Sequence, residues 1–123
     1  MPASPKTRVE VYIPDRPGDP SYRKTLEWIA DEFTYTGAGG ASVIEDVDGR
    51  YLSPLTNWTI YERTGVIYSD FPSDWSNIED RDEILNYLED LKRFAEGVLW
   101  QEETIMVLAY PVFHIAQRRL CSS

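Results

Sequence analysis

The chain of 123 residues has one cysteine and one histidine, and each scarcity removes a class of protein. A lone thiol, Cys121, makes no internal disulfide, so the fold has to rest on its own core and a reducing compartment is expected. One imidazole, His114, beside one thiol excludes the standard zinc ligand sets, and neither a metal nor a cofactor is expected. Long apolar runs are missing too. Nothing approaches the roughly 20 residues of a membrane-spanning helix, and the opening MPASPKTR lacks the apolar stretch of a secretory signal. A soluble, cytoplasmic protein without a membrane partner is therefore expected. There is no G-x-S-x-G nucleophile elbow, and Gly37-Ala38-Gly39-Gly40 follows a helical stripe rather than a strand, the wrong setting for a phosphate loop. Positive charge is the scarce sign: 12 Lys and Arg against 21 Asp and Glu leave a net charge of −9. Such a chain repels phosphate backbones, which makes nucleic acid an unlikely partner.

What the sequence does contain is an ordered series of hydrophobic periodicities. Val9, Val11 and Ile13 alternate as in a strand, and Tyr22, Leu26, Ile29, Ala30 and Phe33 then recur at helical spacing. Two strand-like runs follow, then a second helical stripe of Ile84, Leu88, Leu91, Ala95 and Val98, and a last apolar run over Ile105 to Tyr110. The order β-α-β-β-α-β predicts an α+β, ferredoxin-like sandwich: a four-stranded antiparallel sheet with two helices on one face. A single domain over 8–116 is expected, with a mobile N-terminal arm over 1–7 and a C-terminal tail over 117–123.

Local signals place the boundaries. Asp19 is read as the first helix's N-cap, with Pro20 at its first position. Asp48-Gly49 predicts a hairpin turn closing the second strand, and the acidic run Glu45 to Gly49 is read as that turn rather than a calcium loop. Thr59 to Phe71 reads as the third strand, with Gly65 marking a bulge or a close packing contact. The second helix is predicted from Asp80, with Glu83 completing a capping box, to about Trp100. Gly97 near its end signals tight packing or an early stop. The fourth strand should run from Glu103 to Tyr110, limited by Pro111, with Val112 to Ile115 as an edge piece.

The sheet face away from the helices is where function is expected. Tyr12, Tyr61, Met106, Leu108 and Tyr110 are assigned to it, and Met106 with Leu108 makes it too apolar to stay fully hydrated. A second copy in a two-fold homodimer, the chain's own segment 50–58, or a ligand could cover it. The leading expectation is a small non-enzymatic binding or interaction module that works through this face. A first alternative is a cofactor-free enzyme of the dimeric ferredoxin-like type, with a small apolar pocket around His114 and with Tyr61 and Glu62 as companion acid/base groups. A second is an acidic mimic or inhibitor of a basic protein, docking through Asp80, Asp82 and Glu83, which otherwise read as a solvated helix start favoured by the helix dipole. RNA recognition on such a sheet would ask for a basic surround, and Glu10 and Glu62 oppose it.

Four segments carry a family resemblance. They are Gly40-Ala41-Ser42-Val43, Asp48-Gly49-Arg50-Tyr51, Glu62-Arg63-Thr64-Gly65-Val66-Ile67 and Gln101 to Val107. Over residues 40–112 the chain resembles the DUF3574 proteins, a small bacterial family of unknown function. The resemblance implies the same ferredoxin-like fold and supplies no catalytic residue.

Overall fold

A computed structural model describes residues 3–15, 18, 20–52, 55–99 and 105–115. Strand β1 (Ala3–Pro14) leads to helix α1 (Ser21–Thr36), strands β2 (Ser42–Leu52) and β3 (Thr59–Phe71), helix α2 (Ile78–Phe94) and strand β4 (Met106–Ile115). The strands are ordered β2-β3-β1-β4, and every neighbouring pair is antiparallel. This is the expected α+β, ferredoxin-like arrangement.

The core forms where three periodicities meet. Val9, Val11 and Ile13 of β1 and Ile67 and Phe71 of β3 project from one face of the sheet. Tyr22, Leu26, Ile29 and Phe33 of α1, and Ile84, Leu88 and Leu91 of α2 with Ala95 just beyond it, close over them. Spacings of four and three residues keep each set on one side of its helix. Burial of each large apolar side chain contributes about 1.5–3 kcal/mol, so these two stripes hold both helices to the same face. The ring of Phe33 meets that of Phe71 edge-on, with centroids 5.3 Å apart. No helix among the described residues is long and apolar enough to cross a membrane.

Several boundaries differ from the sequence reading, each for a local reason. Residues 3–7, expected in a mobile arm, extend β1, because Ala3 to Thr7 pair with Ile115 to Pro111 of β4. Thr7 is fully buried, and its hydroxyl donates to the Ser73 carbonyl at 3.0 Å. Strand β4 runs through Pro111 to Ile115 because it lies at the sheet's edge, where a missing N–H costs no ladder bond on the open side. Helix α1 starts one residue after Pro20, which occupies the cap; Asp19 lies outside the described residues. Helix α2 is capped by Asn77, whose side chain accepts the Asp80 N–H, so Asp80 is three residues into the helix rather than its cap. The α-helix ends at Phe94 and passes into a single π-helical turn, Ala95–Leu99. A Cβ on Gly97 would meet nothing within 4 Å, which leaves the early stop as its reading. Residues 100–104 and the predicted tail lie outside the described residues.

The larger correction concerns β2. Asp48-Gly49 is not a turn: Asp48 pairs with Arg63 and Gly49 with Glu62, inside the strand. A Cβ on Gly49 would lie 3.0 Å from the Glu62 carbonyl oxygen and 3.1 Å from Thr64 Oγ1, so this glycine answers to a close cross-strand approach. The irregularity sits earlier. Ile44 pairs with Val66 and Val47 with Thr64, so Glu45 and Asp46 together oppose Gly65, a β-bulge. Asp46 takes φ of 60°, a left-handed conformation that aspartate tolerates. Gly65 was expected to mark a bulge or a close contact, and both lie at this point. A Cβ there would come within 2.5 Å of the Tyr22 hydroxyl and 3.1 Å of Leu26 Cδ1.

Replacing Gly65 by alanine should therefore lower stability by about 1–3 kcal/mol, the usual cost of overpacking. Removing the obstructing oxygen in the double variant Gly65→Ala, Tyr22→Phe should recover part of that loss. Chemical denaturation of the four proteins in the cycle measures both effects, and a strictly additive cycle would contradict the contact.

Candidate functional site

Alternation along each strand decides which side chains share the face away from the helices. On β1 these are Arg8, Glu10, Tyr12 and Pro14, opposite Asp70, Tyr68, Val66 and Thr64 of β3. On the other side Arg8, Glu10 and Tyr12 lie opposite Tyr110, Leu108 and Met106 of β4. Four of the five residues assigned to this face from sequence, Tyr12, Met106, Leu108 and Tyr110, are thus brought together on it. Tyr61 is not. It alternates with Glu62, Thr64 and Val66 and shares the side of Gly65 and Ile67. It lies on a stretch of β3 that pairs with β2 alone, so the two strands form an arm that runs past the end of β1. Tyr61 is 63% exposed there, under the Arg50 guanidinium at 5.1 Å.

Two polar clusters cross the face. In the first, Arg8 grips Asp70 with two bonds, Nε to Oδ1 at 2.7 Å and Nη2 to Oδ2 at 2.9 Å. His114 Nε2 meets the same Asp70 Oδ2 at 2.6 Å, and the Arg8 guanidinium lies 5.3 Å from the centre of the Tyr68 ring. The planar fork of arginine matches the carboxylate's two oxygens, which makes this a strong ion pair for a partly exposed site. In the second cluster Glu10 accepts the hydroxyls of Tyr12, at 2.7 Å, and of Tyr110. The Tyr12 phenol is pushed up to about 12, first by its bond to Glu10 and then by burial. Glu10 likewise raises Tyr110. Asp70 is held below the usual carboxylate range, chiefly by Arg8 and further by His114, against an opposing push from burial.

The arrangement separates the three groups proposed as an acid/base cluster. His114 joins Asp70, eight residues along β3 from Glu62, roughly 26 Å at strand spacing. Tyr61 is on the opposite face from Glu62. A concavity lies at the other end of the same face, and His114 is not among its lining residues. It is a groove of about 570 Å³ lined by Tyr12, Pro14, Val47, Asp48, Gly49, Arg50, Glu62, Thr64, Ile105 and Met106. Sequence reasoning placed Tyr12 and Met106 together on this face but grouped Glu62 with His114 and Tyr61, and it missed Val47 and Gly49, which the bulge at Glu45-Asp46 turns onto this face. Glu45, at that bulge, accepts from the Tyr22 hydroxyl at 3.1 Å and from Arg23 at 2.7 Å on the helix side.

Of the three acids at the start of α2, Asp80 is half-buried and its carboxylate accepts the Asp74 N–H at 3.1 Å, so it serves the loop before the helix. Asp82 and Glu83 are exposed. Among the described residues no group of three or more His, Cys, Asp or Glu side chains could hold a metal ion.

No family model matches the chain. No curated protein matches it in sequence. Solved structures do match in shape. A CutA1 from Oryza sativa superposes with a TM-score of 0.54 at 12% identity, over 91% of this chain and 84% of the other. A phage SAM lyase in complex with S-methyl-5′-thioadenosine superposes with a TM-score of 0.57 at 13% identity, over 90% of each chain. At such identity the likeness is one of fold, and fold does not carry function.

The Asp70 carboxyl makes a pH test of the first cluster. Its folded pKa lies below the unfolded value of about 3.9, so the folded state binds fewer protons and the cluster's stabilisation is fully present above that value. It is lost as pH falls through the folded pKa. Asp70→Asn should therefore flatten the fall in stability below about pH 4, measured by urea unfolding at stepped pH. Parallel pH profiles for the two proteins would contradict the assignment.

Proposed function

We propose that this protein is a small binding module whose working surface is the open sheet face, and that a second copy of the chain covers the middle of that face. The observation that carries the reading is the internal pairing of the face's polar groups. Arg8, Asp70 and His114 satisfy one another, and Glu10 takes both tyrosine hydroxyls. Covering them leaves few charges to strand, and stranded charge is what makes burial of a polar face costly. Beside the second cluster runs an apolar row, Leu108 opposite Glu10 and Met106 opposite Tyr12, 39% and 49% exposed in the single chain. A two-fold arrangement lets one patch serve both copies.

The enzyme alternative, with a pocket around His114, loses its geometric support because His114, Tyr61 and Glu62 stand apart. Docking of a basic protein on the exposed Asp82 and Glu83 is a second, independent proposal for the acidic start of α2. The resemblance of residues 40–112 to the DUF3574 proteins is kept as a proposal of kinship and adds no activity.

Sedimentation velocity over about 1–200 µM tests the leading reading. Wild-type protein should self-associate, and Leu108→Asp should weaken the association at least tenfold, since a carboxylate would be buried without a partner. Asp82→Asn with Glu83→Gln should leave it unchanged. A wild-type chain that stays monomeric across the range, or association indifferent to Leu108→Asp, would overturn it.

A further inference from the structure

We propose that the groove at the root of the β2–β3 arm receives Trp58 of a second copy, each chain of a two-fold pair inserting its indole into the other, an inference that rests on the self-association proposed above. Contact over the middle of the face is too small to hold two copies by itself. A stable interface buries about 1,200–2,000 Å², whereas Leu108 and Met106 offer at most on the order of 100 Å² each. Their polar neighbours are paired among themselves and add contact with little affinity. The missing area lies at the arm. There β2 and β3 continue past the end of β1 as a two-stranded ribbon, a form that is marginal in water without further packing. Trp58 immediately precedes β3, at the outer end of that ribbon, and is 76% exposed. Trp28 and Trp75, the other tryptophans whose burial is described, pack against the core.

The groove suits an indole in size, lining and position. Its volume of about 570 Å³ is ample for one, and Tyr12, Pro14, Val47 and Met106 supply apolar wall. An aromatic ring gains from packing against Tyr12 and from the adaptable thioether of Met106. Trp58 does not line the groove of its own chain, so within one copy the indole and its receptor stay apart. Tyr12 and Met106 belong at once to the groove and to the apolar row beside Glu10, which makes the groove continuous with the surface that the second copy covers. A tryptophan seated in an apolar pocket is the kind of anchor that dominates interfaces. Two such side chains bury about 150–250 Å² each, and with the walls they cover they bring the contact toward standard size. Each chain has one anchor and one receptor, so the exchange closes at two copies.

The test is a complementation between two defective variants of the full-length protein, read by sedimentation velocity. Trp58→Ala removes the anchor, Thr64→Trp fills the receptor, and each alone should weaken self-association at least tenfold. Mixed one to one, they should associate with each other more tightly than either does with itself. The mixed pair keeps one Trp58 facing one open groove, whereas each variant paired with itself keeps none. Tryptophan emission supplies a second readout that needs no groove variant, and so decides the matter even where Thr64→Trp loses native circular dichroism. Wild-type emission should move to shorter wavelength between about 1 and 200 µM, and Trp58→Ala should lose that shift. Association that is weakened by Leu108→Asp but indifferent to Trp58→Ala would overturn the insertion and leave the two-fold contact standing. A mixture no tighter than its separate natively folded variants, or an emission shift that survives Trp58→Ala, would do the same. A wild-type chain that stays monomeric would overturn both.

Discussion

The close approach of α1 to β3 at Gly65 governs more of this molecule than any other contact. Tyr22 and Leu26 press on the strand where it has no side chain, so the helix packs closer to the sheet there than a Cβ would allow. Opposite the same glycine β2 takes in an extra residue, and Glu45, which like Val43 faces the helices, accepts the Tyr22 hydroxyl there. Burial first, and Glu45 second, push that phenol up to about 12, so the bond stays intact across ordinary pH. Helix position, bulge and hydroxyl are one unit. Its remote effect is on the other side of the sheet, where it reverses the alternation of β2 and presents Val47 and Gly49 to the groove.

That coupling explains what could be read in advance and what could not. The stripes at Tyr22 to Phe33 and Ile84 to Ala95 were legible because helix burial follows a fixed period, and a core must collect whatever shares it. Strand β3 was legible to its end residues because β-branched and aromatic residues fill it. Both faces of its middle are apolar, however, through Val66 and Ile67, so the phase of its alternation was ambiguous and Tyr61 went to the wrong side. Asp48-Gly49 misled for a related reason. A turn dipeptide reports what the backbone can do alone, whereas here the missing side chain is required by the strand alongside. The sequence does contain the bulge's ingredients, an aspartate tolerant of positive φ and a glycine across from it, but only the pairing brings them opposite one another.

The open face repeats one device at two places. A carboxylate on the inner strands is saturated by donors: Asp70 by Arg8 and His114, Glu10 by Tyr12 and Tyr110. In each case one donor comes from β4, the edge strand, so the clusters also fasten that edge to the centre of the sheet. The strand needs such fastening. Its sequence from Met106 to Ile115 contains no Lys, Arg, Asp or Glu, in a chain where such residues make up 27%. An uncharged edge is open to unwanted pairing, and Pro111 removes one donor from its middle.

Saturation of the central carboxylates has a consequence for where binding can occur. Over Arg8, Glu10 and Asp70 an incoming ligand would compete with bonds already made, so that region favours a partner recognised by its apolar row rather than by charge. At the arm the sheet narrows from four strands to two and the surface turns concave. The bulge opposite Gly65 therefore sets where the four-stranded face ends and the groove begins.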